Sequence, residues 1–176
     1  VMSWGASHRD LPESIDPLAA LDDTRRAWET WSARCAPMAP WDEAVRRSLL
    51  TLKALSYEAT GGIVAAPTTS LPEQPGGVRN WDYRFCWLRD ATLTLLALMN
   101  AGYYDEAQAW RGWLERAASG APEQLQILYG LHGERSLSEA ALPWLPGWGG
   151  ARPVRVGNAA AGQLQLDVYG ELMDAL

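Results

Sequence analysis

The most informative stretch of this chain is residues 81–90, which read Trp81-Asp82-Tyr83-Arg84-Phe85-Cys86-Trp87-Leu88-Arg89-Asp90. It holds four aromatic residues, two arginines and two aspartates, and a largely apolar run follows it directly. Aromatic rings can cover the C–H faces of a sugar while charged groups bind its hydroxyls. On residue types alone, a core-closing aromatic loop with Arg and Asp paired at the surface is the favoured interpretation, because such pairs are commoner than binding sites.

Helical periodicity surrounds this segment on both sides. It predicts helices from Asp22 or Asp23 to Cys35, from Asp42 to about Tyr57, from Arg89 or Asp90 to Asn100, from Asp105 to about Ala118, and from near Asn158 through Leu176. Asp42 and Asp90 are each predicted to be an N-cap. Because no strand pattern is strong enough for a sheet, the predicted class is all-α with long loops.

Two long loops connect these helices, from Ile63 to Trp87 and over about 119–157. Loops of this length within compact domains are usually functional or disordered, and the first is too aromatic at its end to be disordered. Each loop leads directly into a predicted helix N-terminus. Long loops gathered at one end of a helical array form the natural walls of a pocket, so we predict a pocket there.

Composition narrows the class of partner. The net charge of −6 and the pI of about 4.9 argue against nucleic acid or an anionic membrane as the partner. Cys35 and Cys86 provide neither a disulfide framework nor a closely spaced zinc pair, and His8 and His132 each stand alone. We therefore predict no metal and no cofactor. Ten tryptophans against one phenylalanine suit a carbohydrate-handling protein.

The chain ends constrain the interpretation further. The sequence begins at Val1 and stops at Leu176 inside a predicted helix, so we expect both ends to be cut. No stretch reaches the ~18 apolar residues of a membrane span, and no signal peptide is visible. A cytoplasmic location is therefore favoured, and the oligomeric state is left open.

Common catalytic motifs are missing from the sequence. There is no dinucleotide-binding glycine pattern after a strand, no Walker loop, no HExxH and no GxSxG. Asp167 and Glu171 would share one face of the final helix, with Cβ atoms only ~5–6 Å apart. That spacing does not suit carboxylates on opposed faces of a substrate, so we expect a structural or substrate-orienting role.

Several longer stretches resemble the start of the catalytic domain of bacterial glycoside hydrolase family 15. The family includes glucoamylases, glucodextranases and a group of trehalases. The resemblance extends over about residues 24–176, and its motifs occupy residues 62–73, 76–90, 125–130 and 152–171.

The resemblance implies a fold. The family has an (α/α)6 toroid of twelve helices, of which this chain would supply a preceding helix and the first four barrel helices. The inner ones would start near Asp90 and Asn158. Residues 1–38 would form a linker with a short helix, and residues 39–176 would form the N-terminal third of the catalytic domain.

The resemblance also implies roles for single residues. Trp87, Arg89 and Asp90 would bind the terminal glucose of an α-glucoside or oligosaccharide. Tyr83 would lie near the attacking water, and Trp148 would line the next sugar site.

The implied reaction is inverting hydrolysis at the non-reducing end of an α-glucoside. A general acid and a general base would lie ~6.5–9.5 Å apart to admit a water. Both are expected beyond Leu176, so no catalytic residue is assigned in this chain. The isolated chain is expected to be inactive and poorly folded, because faces made to meet absent helices would be exposed.

Alternatives remain open. A non-catalytic carbohydrate-binding or regulatory module of the same fold could keep Arg89 and Asp90, as in the regulatory subunits of phosphorylase kinase, which resemble this fold. A different (α/α)6 sugar enzyme is a second alternative. Trehalose, malto- and isomalto-linked glucosides share the terminal glucose, so the sequence does not choose between them.

Overall fold

A computed structural model of the chain describes residues 15–175. Within that range the chain forms five α-helices, α1 Pro17–Ala33, α2 Asp42–Ala54, α3 Leu88–Asn100, α4 Asp105–Ala117 and α5 Val168–Asp174. The short strands are β1 Cys86–Trp87, β2 Leu128–Tyr129, β3 Ala140–Leu142 and β4 Val154–Val156. The predicted helix-rich class is confirmed. Residues 1–14 of the predicted linker, including His8, and Leu176 lie outside the described residues.

The first helix starts earlier than predicted. Its N-cap is Asp16, whose carboxylate accepts hydrogen bonds from the backbone of Leu18 (2.9 Å) and Ala19 (3.4 Å). Pro17 occupies the first helical position, where its missing N–H is harmless and its fixed φ suits a helix. The predicted start at Asp22 or Asp23 is therefore wrong, since the Asp-Pro pair is the stronger start signal.

The next three helices lie close to their predicted positions, but both predicted N-caps are wrong. Trp41 precedes α2 as its N-cap residue, and the Asp42 carboxylate accepts a hydrogen bond from the backbone of Met38. Trp87 precedes α3, so Asp90 is the third residue of that helix. A carboxylate in the first turn still interacts favourably with the positive end of the helix dipole.

The predicted final helix is the largest error. Residues Ala159–Gly162 form a 3₁₀ turn, an irregular stretch follows, and α5 begins only at Val168. Leu164 and Leu166 in that stretch are 74% and 80% exposed. Short helices depend on the packing of an apolar face, and these leucines lack that packing within residues 15–175.

The expectation of no sheet is also wrong, although the sheets are small. Strands β1 and β2 pair antiparallel, with Cys86 opposite Tyr129 and Trp87 opposite Leu128. Strands β3 and β4 pair antiparallel as well, with Ala141 opposite Arg155. The β1–β2 pair joins the end of the first long loop to the second, directly before α3.

The main core lies between α3, α4 and the β1–β2 pair. Trp110 and Trp113 are fully buried and stack with ring centroids 4.4 Å apart. The Trp113 indole N–H donates to the Leu131 carbonyl at 2.9 Å. These two indoles are part of the hydrophobic core. The high tryptophan content of the chain therefore reflects core packing as well as any ligand binding.

A smaller core, which we call the Trp31 node, joins α1 to the rest of the chain. Its members are the side chains of Trp31, Arg34, Lys53, Tyr103 and Glu106. The Trp31 and Tyr103 rings stack with centroids 4.1 Å apart. The node is the means by which α1 packs on α2 and on the start of α4.

The two long loops are bonded to each other. The Asp82 side chain is fully buried, and its carboxylate accepts from Gly157 N (3.1 Å) and from the Arg84 guanidinium at two 2.8 Å contacts. The Asn158 amide donates to the Asp82 carbonyl at 2.9 Å. Arg155 donates to carbonyls of the first loop, at 3.1 Å to Asn80. No helix between residues 15 and 175 combines the length and apolar character needed to cross a membrane.

Candidate functional site

The N-termini of α3 and α5 meet, and four side chains gather there. We call Trp87, Arg89, Asp90 and Asp167 the helix-terminus cluster. Arg89 Nη1 lies 3.3 Å from Asp167 Oδ2, and Arg89 Nη2 lies 3.7 Å from Asp90 Oδ2. The three charged side chains are each about half exposed. One guanidinium therefore lies between carboxylates from two different helices, at the surface.

Local backbone geometry places this cluster. Trp87 is extended, with φ −80° and ψ 133°, as the last residue of β1. The next residue begins α3, and Leu88 N donates to the Ile127 carbonyl at 3.1 Å. The change from strand to helix holds Trp87 9% exposed and puts Arg89 and Asp90 in the first helical turn.

Asp90 has unused hydrogen-bonding capacity. Its Oδ2 atom is buried without a hydrogen-bond partner among the described residues. The nearest recorded cation, Arg89 Nη2 at 3.7 Å, is beyond normal hydrogen-bond distance. An acceptor in this state is suited to a hydroxyl donor supplied by a ligand.

Tyr83 borders the cluster. Its ring centroid lies 5.9 Å from that of Trp87, with the planes inclined by 53°. Its hydroxyl lies 3.5 Å from Glu73 Oε1, which also accepts from the Trp81 indole at 3.1 Å. Burial raises the pKa of the Tyr83 phenol, and the Glu73 carboxylate raises it further. Tyr83 is therefore a hydrogen-bond donor at neutral pH.

Beneath the Arg89–Asp167 pair lies a small cavity of about 10 Å³. It is lined by Trp87, Arg89, Ile127, Gln165, Asp167 and Val168. This volume suits at most one water molecule. A sugar bound here would therefore contact the outer side of the ion pair and not the space beneath it.

Trp148 lies in a different place. It is 60% exposed and lines a cavity of about 350 Å³ together with Leu71, Leu145 and Val154. The lining of this cavity includes none of the four cluster residues. The structure therefore brings together four of the five residues expected to bind substrate (Tyr83, Trp87, Arg89 and Asp90), and leaves Trp148 apart.

The sequence did not predict the contacts that two acidic residues make. Asp167 was expected to share a helix face with Glu171, but it precedes α5, and its carboxylate accepts a hydrogen bond from Arg89. The Glu73 carboxylate contacts Trp81, Tyr83 and Arg79, all from the first loop. The Arg79 Nε atom lies 2.9 Å from Glu73 Oε2. Only the longer motif match covers Glu73, and no spacing rule connects it to aromatics eight and ten residues away.

Among residues 15–175 there is no group of three or more side chains arranged to hold a metal ion. Cys86 is fully buried in the core beside β2, and burial raises the pKa of its thiol to about 12. Such a thiol stays protonated at neutral pH and is a poor nucleophile.

Comparison with known proteins gives a match to one family and to several relatives. The sequence model of the family described as "Glycosyl hydrolases family 15" matches residues 40–176. A trehalase of Mycolicibacterium smegmatis is 42% identical over 180 residues, covering 99% of this chain and 27% of the relative. A trehalase of Thermoplasma acidophilum is 37% identical over 173 residues, covering 98% of this chain and 29% of the relative.

A third relative, trehalase 1 of Sulfolobus acidocaldarius, is 45% identical over 136 residues, covering 77% of this chain and 24% of the relative. The chain thus spans roughly a quarter of the length of the curated relatives it matches. No solved structure matches the chain significantly.

Proposed function

The chain belongs to glycosyl hydrolases family 15, and from this membership we propose that it is part of an inverting, exo-acting α-glucosidase. In this proposal the helix-terminus cluster and Tyr83 bind the terminal glucose. The single observation that carries it is the half-exposed Arg89 between Asp90 and Asp167, beside the Trp87 ring. Charged donors and acceptors next to an aromatic face match the hydroxyls and C–H faces of a sugar.

Trehalose is the proposed substrate. The relatives compared above are named trehalases, and two of them match 98–99% of this chain. Malto- and isomalto-linked glucosides present the same terminal glucose and differ in the next sugar. Trp148 is proposed to contact that next sugar, and its exposed ring supports such a role.

The general acid and base of the reaction are proposed to lie in other parts of the whole protein. Asp90 and Asp167 both lie beside the Arg89 guanidinium, so we assign them to binding and not to proton transfer. Inverting hydrolysis also requires a water between acid and base, at a carboxyl separation of ~6.5–9.5 Å. The chain spans roughly a quarter of its relatives, which leaves room for both groups elsewhere.

The proposed architecture is part of an (α/α)6 toroid in which residues 39–176 contribute the first four barrel helices. Helices α3 and α5 would be inner helices, and α1 would precede the barrel. The exposed faces of α3 support this arrangement, since Leu93 and Leu96 are 61% and 53% exposed. In a complete barrel further helices would cover them.

Glucose release tests the proposal. The full-length protein that carries this chain would be incubated with trehalose, maltose or isomaltose, and the anomer first released would be followed by proton NMR. We expect the fastest turnover with trehalose, and equal amounts of β-glucose and α-glucose as its initial products, because only one of the two anomeric carbons is inverted. We expect no release by residues 1–176 alone. Glucose binding without hydrolysis of any disaccharide would instead support a non-catalytic carbohydrate-binding module.

A further inference from the structure

The contact between Arg89 and Asp167 connects two segments that are 78 residues apart in sequence. Asp90 follows Arg89 in the chain and moves with α3, whereas Asp167 belongs to the start of α5. The Nη1–Oδ2 distance of 3.3 Å makes this the one hydrogen bond recorded for the Arg89 side chain within residues 15–175. The orientation of the guanidinium therefore depends on the residue that directly precedes α5.

This contact contributes little to the stability of the fold. Both side chains are about half exposed, and ion pairs between solvent-exposed side chains contribute little to stability. The apolar floor beneath the pair is already buried, because Ile127 and Val168 are each 4% exposed. A role in ligand binding explains the contact better than a role in folding.

Holding an arginine side chain in place before a ligand arrives favours binding of that ligand. Its guanidinium carries five N–H donors in one plane, and one is used by Asp167. A free arginine side chain loses rotamer freedom when it is fixed, and fixing it before the ligand arrives removes that entropic cost from binding.

We propose that Asp167 is a positioning residue, which holds the Arg89 guanidinium in the plane that presents its remaining N–H donors to the hydroxyls of the bound glucose. The inference rests on the proposed function for the identity of the ligand. It adds the residue directly before α5 to a binding site otherwise built from the end of the first loop and the start of α3.

The test is a comparison of two amide substitutions in the full-length enzyme. Asp167→Asn keeps the side-chain shape and removes the charge, and we expect it to raise KM for trehalose and to lower kcat/KM about tenfold. Asp174→Asn is the matched control, since Asp174 is an exposed carboxylate at the other end of α5. We expect it to change kcat/KM less than about twofold. Equal effects of the two substitutions would overturn the proposal.

A double-mutant cycle separates positioning from a purely structural role. In an Arg89→Ala background, Asp167→Asn should cost less than about twofold, because its effect acts through the guanidinium. A tenfold loss that persists in that background would contradict the inference. If Asp167→Asn fails to fold, Asp167→Glu keeps the charge and should hold kcat/KM within about threefold of the wild type. A larger loss in a folded Asp167→Glu protein would also overturn it.

Glucose binding by isothermal titration calorimetry keeps this inference distinct from the proposed function. A wild-type protein that binds glucose without hydrolysing any disaccharide contradicts the hydrolase proposal only. The role of Asp167 is then tested by the Kd for glucose. We expect Asp167→Asn to raise this Kd about tenfold and Asp174→Asn to change it less than about twofold. A wild-type protein that neither hydrolyses nor binds a glucoside contradicts both proposals.

Discussion

The Trp31 node and the helix-terminus cluster each combine a tryptophan, an arginine and a carboxylate, but the carboxylates of the two regions lie in opposite environments. In the node, Glu106 is 7% exposed and its Oε1 atom accepts from the Trp31 indole at 2.7 Å and from Lys53 at 2.9 Å. In the cluster, the charged groups are half exposed. Among residues 15–175, each region leaves one buried carboxylate oxygen without a hydrogen bond, Asp90 Oδ2 in the cluster and Glu106 Oε2 in the node. Burial of the carboxylate, and not residue type, distinguishes the packing element from the candidate binding site.

The node shows what hydrogen bonds to one carboxylate oxygen do to a buried charge. Burial alone would raise the pKa of Glu106, but hydrogen bonds from Lys53 and Trp31 outweigh it and hold the pKa below its ordinary value. The Tyr103 hydroxyl donates to the Trp31 carbonyl at 3.0 Å, and this fixes the backbone of α1 as well. The Trp31, Lys53 and Tyr103 donors of the node thus form their hydrogen bonds to other members of the node.

If the node is purely structural, its loss should cost stability and leave the chemistry intact. We expect Trp31→Ala to lower the free energy of unfolding by about 3–5 kcal/mol, because it removes a buried ring and one hydrogen bond to Glu106. Urea denaturation measures this change. The kcat/KM of the folded protein should stay within about twofold of the wild type.

Trp28→Ala is the control for this substitution, since Trp28 is 38% exposed and meets Trp31 only edge to face. Its expected cost is about 0.5–1.5 kcal/mol. Equal costs for the two variants would remove the distinction between buried and exposed rings at α1.

The cluster should respond in the opposite way. Arg89→Ala should lower kcat/KM for the preferred glucoside about 100-fold, or about 2.7 kcal/mol, since charge-assisted hydrogen bonds to the sugar are lost. The free energy of unfolding should change by less than about 0.5 kcal/mol, because the side chain is half exposed. Steady-state kinetics and urea denaturation on one preparation measure both.

Arg111→Ala serves as the matched control, because Arg111 is an exposed arginine on α4 paired with Glu115 at 3.1 Å. We expect no more than a twofold change in kcat/KM and a stability change below about 0.5 kcal/mol. Wild-type kinetics in Arg89→Ala would withdraw Arg89 from the binding site.

The smallest expected effect is a difference in pH dependence at the node. The pKa of Glu106 in the folded protein lies below its ordinary value of 4.5. Its contribution to stability is therefore present above pH 4.5 and is lost as the pH falls through the lower folded value. Glu106→Gln removes the titrating group, so the wild type should lose more stability than the variant between about pH 5 and about pH 3. Parallel stability curves for the two proteins would contradict this assignment.

The helix pattern was readable from sequence wherever an apolar stripe meets a packed neighbour. Helices α2, α3 and α4 show this, since each carries buried residues at helical spacing, such as Leu95 and Leu98 in α3. The stretch containing Leu164 and Leu166 has a similar composition, but its leucines are exposed and it is not helical. Periodicity shows that a segment can form an amphipathic helix, and tertiary packing decides whether that helix forms.

The candidate site was partly readable as well. The junction of a long loop and a helix start located Trp87, Arg89 and Asp90, because that signal is local. The Arg89–Asp167 contact spans 78 residues, and pairwise contacts at that distance leave no trace in the spacing of a single sequence. The separate location of Trp148 has the same cause, since the path of the second loop is set by β3 and β4.

The bonds between the two long loops have a consequence for how this chain can change its length. Asp82 and Asn158 are joined side chain to backbone, and Arg155 reaches the carbonyls of Val78 and Asn80. An insertion or deletion within residues 78–82 or 155–158 would move one half of these pairs out of register. The lengths of these two short stretches are therefore coupled, whereas the rest of each loop can change length without breaking these bonds.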